Sequence, residues 1–382
     1  MRKPRIGILG AVGTNLGDEA VAVASVSLLR RAGLDAEFSI TTAVPGAITR
    51  SYPDLDEFVL RRSSPWGWVR LVRWIYSLDV LLVGGGSLIQ DKLGISRLRG
   101  LIPFLSQVLA IARFARKPIL TLPVGVDRLE TELGRAMAGP VLRKFDYLQV
   151  RDPGSASNAK EYGGGAIDPV LVCDPAFSLD ETSDVFAAGA TTSLSLASPY
   201  IAISLVRENL PLERLLAAIQ SLIQEVLSEG YQVLLVPMDK RQNDELGVFQ
   251  ELQHGLPEQQ RSRCTILAPD TPLQDVIRVL RGARFLVAMR LHAAILALGY
   301  TPVFMISRTT KTEQLIEGFG LASTGAEATD CEATLAAWSK AQLHPASAPV
   351  DELSGQRTLR MDKRLLLEAA FANLATKIRE RI

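Results

Sequence analysis

Cysteine is scarce in this chain: Cys173, Cys264 and Cys331 are three in 382 residues, far apart and with no CxxC spacing. That argues against a disulfide framework or a zinc cluster and fits a reducing compartment. Long apolar runs are also missing, since none reaches the roughly 18–20 residues that a membrane span needs. The opening MRKPRIGILGAVG lacks the apolar stretch and small-residue cleavage site of a signal peptide. Net charge is nearly absent, with 42 basic residues against 41 acidic ones. No global field therefore recruits nucleic acid or an anionic membrane, and any anion site is local. No set of metal ligands emerges. The expectation is a soluble, cytoplasmic protein with no nucleic-acid partner, peripheral at most to the inner membrane face.

What is present is a strand and helix alternation. A chain of 382 residues with 47% apolar content can bury two cores, because single cores stop growing near about 250–300 residues. Strands are expected at Arg5 to Leu9, Ala36 to Thr41, Asp79 to Val83, Pro118 to Leu122, Tyr147 to Val150 and Val170 to Cys173, with helices between them. The rhythm breaks over 180–199, rich in Ser, Thr, Ala and Gly, which reads as a linker. It resumes at Tyr200 to Leu205. Alternation of this kind means parallel sheets with right-handed crossovers. The fold class is α/β, with two doubly wound, Rossmann-like domains over 1–179 and 200–357 and a cleft between them. A long amphipathic helix over 358–382 would pack back across the junction.

The stretch from Phe285 to Lys311 is the richest in chemistry. It reads as strand, helix and strand, and ligands in open α/β sheets bind outside the carboxyl ends of strands. Those ends deliver Arg290 and His292, then Ser307, Arg308 and Lys311. Four of the five can be cationic, so the expected guest is an anion. His292 is one of three histidines, and histidine is the commonest general acid or base near neutrality. A histidine merely satisfied at a helix start is the bland alternative, and the neighbouring Arg290 weighs against it. Arg207 closes a strand in the same half.

In the first half, Gly10 to Glu19 is a glycine-rich turn that does not match the dinucleotide fingerprint spacing. Its polar segment Asn15-Leu-Gly17-Asp18-Glu19 could bind sugar hydroxyls or remove a proton. Gly84-Gly85-Gly86-Ser87 follows four apolar residues, so backbone N–H groups can approach a ligand without a Cβ in the way. Asp91 could accept from a hydroxyl. Trp66, Trp68 and Trp74 are interleaved with Arg61, Arg62, Arg70 and Arg73. As a helix this segment suits either a membrane interface or lipid-linked substrate, or ordinary core packing with snorkelling arginines. Asp54-Leu-Asp56 follows a proline without a clear strand and carries little weight as a metal-binding acidic pair.

Taken in order, several segments resemble the polysaccharide pyruvyltransferase family: Asn15-Leu-Gly-Asp-Glu19, Val83-Gly-Gly-Gly-Ser-Leu88 with Gln90-Asp91, Val150-Arg151-Asp152, Asp174-Pro-Ala-Phe177, Val236-Pro-Met238, Met289-Arg-Leu-His292 and the segment Ile306 to Gly320. Each is weak alone, and the ordered set is specific. Two departures stand out. The loop Pro123-Val-Gly125-Val lacks the glutamine expected there, and Ser307-Arg-Thr-Thr-Lys311 replaces a pattern with Tyr and Asp before the lysine.

The resemblance implies a fold similar to the GT-B glycosyltransferases, and transfer of a pyruvyl group from phosphoenolpyruvate to a sugar of a cell-wall or exopolysaccharide precursor as a ketal, releasing phosphate. No cofactor is implied beyond that donor substrate. His292 would transfer the proton, and Arg290, Arg207, Lys311 and Arg308 would hold phosphate and carboxylate. Asp18 would be the base, and Asn15, Gly17, Glu19, Gly84, Gly85, Gly86, Ser87, Asp91 and Arg151 would face a sugar or oligosaccharide acceptor, free or lipid-linked. Two other readings fit the same residues: a GT-B-type glycosyltransferase using a nucleotide sugar, and a non-catalytic protein that binds sugar or phosphate.

Overall fold

The structure is a computed structural model that describes the whole chain except residues 1, 93, 166, 181–182, 185–198, 208–212, 242–243 and 345–349. It divides into two units: Met1–Ala187 with Lys363–Ile382, and Ala188–Asp362. Nearly all of the segment expected as a linker, 180–199, lies outside the described residues.

The first unit runs β1 (Arg5–Val12), α1 (Leu16–Arg31), β2 (Glu37–Thr42), β3 (Asp56–Val59), α2 (Pro65–Ser77), β4 (Val80–Val83), β5 (Ser87–Ile89) and α3 (Leu101–Phe114). It continues with β6 (Ile119–Thr121), β7 (Gly125–Val126), α4 (Glu132–Leu142), β8 (Gln149–Val150), α5 (Pro153–Gly163) and β9 (Val170–Leu171). Five of these strands form one parallel sheet in the order β3-β2-β1-β4-β6. The order reverses at β1, so the crossovers before and after it lie on opposite faces. Burial explains the continuous apolar strands: Val80, Leu81, Leu82 and Val83 are all inaccessible, as expected where helices cover both faces. The short pairs β5-β7 and β8-β9 extend the strand-end side as separate two-stranded ribbons.

The segment Tyr147 to Val150 is expected as a full strand but forms only Gln149–Val150 with a single bridge at Tyr147. Conversely, Asp56–Val59 is a strand that local sequence does not announce. It exists because β2 offers a partner edge, with Ser39 opposite Asp56 and Thr42 opposite Val59.

The tryptophans of α2 separate. Trp74 is 5% exposed, stacks on Phe58 at 4.9 Å and donates to Ser39 Oγ at 2.9 Å. Trp68 is half-buried and meets Phe104 edge-on at 5.9 Å. A membrane contact through Trp74 is therefore ruled out by burial, and only Trp66, 75% exposed, stands in solvent.

The second unit runs β10 (Tyr200–Ser204), α6 (Glu213–Ser228), β11 (Gln232–Leu235), α7 (Asp244–His254), α8 (Glu258–Arg261), β12 (Cys264–Ile266) and α9 (Leu273–Gly282). Then come β13 (Leu286–Ala288), α10 (Leu291–Ala297), β14 (Val303–Ser307), α11 (Thr310–Phe319), β15 (Ala322–Gly325) and α12 (Cys331–Leu343). Its six parallel strands lie in the order β12-β11-β10-β13-β14-β15. This is the same doubly wound logic, reversing at β10. The core is aliphatic, with Phe249, Phe285 and Phe304 inaccessible inside it.

A last helix, α13 (Val350–Arg379), begins in the second unit and ends in the first. Arg357 Nε donates to Gly299 O at 2.7 Å in the second unit, and Arg379 Nη2 to Ala32 O at 2.8 Å in the first. From Leu367 onward its inward residues Phe371, Leu374, Ala375 and Ile378 are fully buried. Among the described residues, no helix is long and apolar enough to cross a membrane.

Candidate active site

Parallel strands place all their carboxyl ends on one side, and in the second unit the charged residues gather there. Met289, buried, follows β13, and Arg290 is the N-cap residue of α10, with its own backbone extended. His292 lies in the first turn of the same helix, half-buried. The helix therefore starts two residues earlier than its run of Ala and Leu suggests.

Arg290 is held by a carboxylate. Its guanidinium pairs with Glu245 Oε1 through both Nε and Nη2, and Glu245 is fully buried. Glu245 is the second residue of α7, and its other oxygen accepts from the backbone N–H groups of Met238 at 2.8 Å and Asp239 at 3.1 Å. One carboxylate thus ties the loop after β11 to the residue after β13. Burial pushes the Glu245 carboxyl above the usual range, against the pull of Arg290 and the two backbone donors. Asp239, 3% exposed, receives Arg241 Nε at 2.9 and 3.2 Å. Burial raises that carboxyl too, but the hydrogen bonds and charge of Arg241, with the charge of Arg290, hold it below its ordinary value. Two carboxylates and two arginines form one network where only the arginine at 290 was expected.

The remaining predicted cations are spread out. Arg207 pairs with Glu251 of α7 at the surface. Ser307 ends β14, Thr309 caps α11 by a reciprocal box with Thr312, and Lys311 is the second residue of that helix. Ser307 and Arg308 line a cavity of about 780 Å³ with Glu313, Thr324 and Glu327, and neither Arg290 nor His292 lines it. The Arg308 backbone N–H donates to Thr312 Oγ1 at 3.2 Å.

The first unit gathers its own set. Gly10 and Gly84 touch so closely that a Cβ on Gly10 would lie 2.5 Å from Gly84 O. Gly85 and Gly86 have φ of +92° and +82°, a region only glycine enters freely. A Cβ on Gly86 would sit 2.6 Å from Asp18 Oδ1, so the carboxylate expected to act as base does lie over the glycine loop. Asn15 caps α1 by accepting from Gly17 N at 2.8 Å.

Beside this loop Ser87 Oγ receives Arg151 Nη2 at 3.2 Å, and Arg151 Nη1 reaches Asp174 Oδ2 at 3.1 Å, both charged side chains 7% exposed. A Cβ on Gly125 would be 2.5 Å from Ser87 Oγ and 3.3 Å from Arg151. Gly125 therefore leaves Ser87 and Arg151 room that any side chain at this position would take.

Two predicted acceptor residues are turned to the fold instead. Glu19 is inaccessible and accepts from Tyr52 Oη at 2.9 Å, a phenol that burial first, and Glu19 second, push well above its usual value. Asp91, 5% exposed, accepts from Glu130 N at 3.1 Å, Thr131 N at 2.8 Å and Thr131 Oγ1 at 2.6 Å, which fixes the cap of α4. Burial pushes its carboxyl up, and the hydrogen bonds from Thr131 and Glu130 outweigh that and leave it below the ordinary value. A carboxyl depressed in the folded state adds stability that is present above its unfolded value and lost as pH falls through the folded one. Asp91→Ala is expected to lower the unfolding free energy by about 1–3 kcal/mol, the cost of stranding buried donors. Chemical denaturation reads this, and the variant's acid limb should be flatter than the parent's. An acceptor-binding residue would instead lose activity with stability unchanged.

Glu245, Asp239, Arg241, Asp174 and Gly125 were not singled out as site residues. Asp174 opens the segment Asp174-Pro-Ala-Phe177 that carries part of the resemblance, whereas no local pattern marks Glu245. Among the described residues, no group of three or more His, Cys, Asp or Glu could hold a metal ion.

The fold class follows from comparison with solved structures. The chain superposes with a TM-score of 0.66 on a Listeria monocytogenes protein assigned as a UDP-N-acetylglucosamine 2-epimerase, at 15% identity over 99% of this chain and 98% of that one. It superposes at 0.60 on a glycosyltransferase from Rickettsia africae, at 12% identity over 99% of both chains. The UDP-GlcNAc 2-epimerase from Methanocaldococcus jannaschii gives 0.57 at 11% identity, over 95% and 99%. At such identities the likeness shows the fold alone: a two-domain α/β protein of the GT-B type. No curated protein matches the chain. The family model for polysaccharide pyruvyl transferase matches residues 15–309 of the 382, and the chain belongs to that family.

Proposed function

We propose that this protein transfers the pyruvyl group of phosphoenolpyruvate to a sugar of a cell-wall or exopolysaccharide precursor, closing a ketal across two hydroxyls and releasing phosphate. Membership of the polysaccharide pyruvyl transferase family supports a transferase acting in polysaccharide modification. The observation that carries the finer reading is the Arg290 and His292 pair at the start of α10, with the arginine oriented by the buried Glu245.

The donor bears a phosphate and a carboxylate, both suited to arginine and lysine. In this reading Arg290, held in one orientation before the substrate arrives, needs little reorganisation on binding. Lys311, and less directly Arg308 and Arg207, supply further positive charge. His292 donates a proton to the methylene carbon, and positive charge develops at C2. A sugar hydroxyl attacks C2 and gives its proton to a base, for which Asp18 is the candidate. The C–O bond to phosphate then breaks, and a second hydroxyl adds at C2 and loses its proton as the ketal closes. Asn15, the backbone of Gly84, Gly85 and Gly86, and Ser87 are the acceptor-side candidates. Arg151 supports Ser87 through the hydrogen bond described above.

The test is direct. With phosphoenolpyruvate and a panel of acceptor sugars, inorganic phosphate should appear only in the presence of an acceptor, together with a product heavier by a pyruvyl ketal. No phosphate release across the panel, with nucleotide released instead from a nucleotide sugar, would transfer the protein to the glycosyltransferase reading.

A further inference from the structure

The face of α2 that points away from the core is basic and aromatic, and the reaction has no use for it. Trp66, Val69, Arg70, Arg73 and Tyr76 recur at helical spacing and are all exposed, while Leu71, Trp74 and Ile75 on the other side are buried. Between Arg61 and Arg99 the chain carries seven basic residues against two acidic ones, Asp79 and Asp91. Asp79 pairs with Arg2, and Asp91 is buried in its own hydrogen bonds. Among the described residues none of the seven basic side chains is in an ion pair. In a protein with a formal charge of +1, this is a concentrated positive surface.

Its geometry is fixed. A Cβ on Gly67 would lie 1.9 Å from Arg61 O, and Trp68 Nε1 donates to Arg62 O at 3.1 Å, so the Arg61-Arg62 segment is pressed onto the first turn of the helix. Arg62 also lies over the Phe104 ring at 4.9 Å. This holds the Arg61-Arg62 segment against the turn of the helix that carries the exposed Trp66. Leu98, 80% exposed, is flanked by Arg97 and Arg99 just before α3. Helices in a parallel sheet run against its strands, so α2 and α3 both begin on the side where β4 ends in the Gly84 loop.

We infer that this end of α2, with the Leu98 segment, docks on an anionic lipid surface. An amphipathic helix lying in the interface needs apolar side chains that enter the headgroup boundary and basic ones that meet its charge, and both are here. Charge selects the occupant: a second copy of this chain would bring the same unpaired arginines against these and be repelled. The docked edge is the one that carries Asp18 and the glycine loop, which suits an acceptor held at a membrane.

The full chain should pellet with sucrose-loaded vesicles of phosphatidylcholine mixed with phosphatidylglycerol, and not with phosphatidylcholine alone, and the partition should fall as salt is raised. R61Q/R62Q should lower the partition by about fivefold for each arginine replaced. W66S should lower it as well, with circular dichroism unchanged because the side chain is in solvent. Equal binding to both vesicle types, no binding to either, or unaltered binding of both variants overturns the inference. Loss of self-association in W66S with vesicle binding intact assigns the face to a second copy and overturns it too. The assay contains no phosphoenolpyruvate, so its outcome is separate from that of the transferase reading.

Discussion

His292→Ala is expected to lower turnover by about 10²–10⁴-fold, the usual contribution of a positioned general acid or base. The imidazole is half-buried in the first turn of α10, and the packing of that helix is carried by its neighbours Ala293 to Ala297, all buried. Truncation therefore removes a proton carrier and not a part of the core. The melting temperature should stay within the scatter of ordinary surface substitutions. If the loss falls on kcat with KM for phosphoenolpyruvate little changed, the interaction removed belongs to the transition state. His292→Gln, which can hydrogen-bond but cannot carry the proton, should be as slow as the alanine variant. Turnover close to that of the parent in either one would remove His292 from the mechanism.

The second large effect is expected at Glu245, and it is felt in both stability and binding. Glu245→Ala takes from Arg290, whose side chain is 16% exposed, the carboxylate that holds its guanidinium, and strands the N–H groups of Met238 and Asp239. Breaking a buried pair in this way costs about 3–5 kcal/mol, read by denaturant unfolding. Glu245→Gln separates the two roles. Its carbonyl oxygen can still accept from the backbone, while the charge that orients the guanidinium is gone. It should keep most of the stability and lose kcat/KM for phosphoenolpyruvate by about 10–150-fold, the equivalent of about 1.5–3 kcal/mol for one hydrogen bond to a charged group. A Gln variant with unchanged kcat/KM would mean that the orientation of Arg290 is irrelevant to the donor.

Why one of these residues was visible in the sequence and the other was not follows from how each is used. Arg290 and His292 follow an apolar run that can only be a buried strand, so their place at its carboxyl end can be read locally. Glu245 is in a polar segment at a helix start. It matters because the loop after β11 turns its N–H groups inward and because β13 lies two strands away, and neither fact is local. Asp91 shows the reverse. A polar residue after a glycine loop suggests a ligand, but Glu130 and Thr131, some forty residues on, bring three donors to it, one from Glu130 and two from Thr131.

The fold itself was legible where strands are continuously apolar, as at Val80 to Val83 and Val303 to Ile306. It was hidden where helices contain breakers: α4 includes Gly134, Gly139 and Pro140, and α5 begins with Pro153-Gly154 and ends in Gly163. Tertiary packing overrides propensity at such places. The tryptophan segment was legible as an amphipathic helix, but which indole faces water depends on the neighbouring sheet.

The last helix has a consequence for the order of folding. Leu367, Phe371, Leu374 and Ile378 complete the interior of the unit that is otherwise built from the first half of the chain. On the ribosome that first half emerges well before them, and the whole second unit is synthesised in between. The earlier-made unit must therefore wait with an apolar surface uncovered until the later one is finished, and the half that is made first is the half completed last.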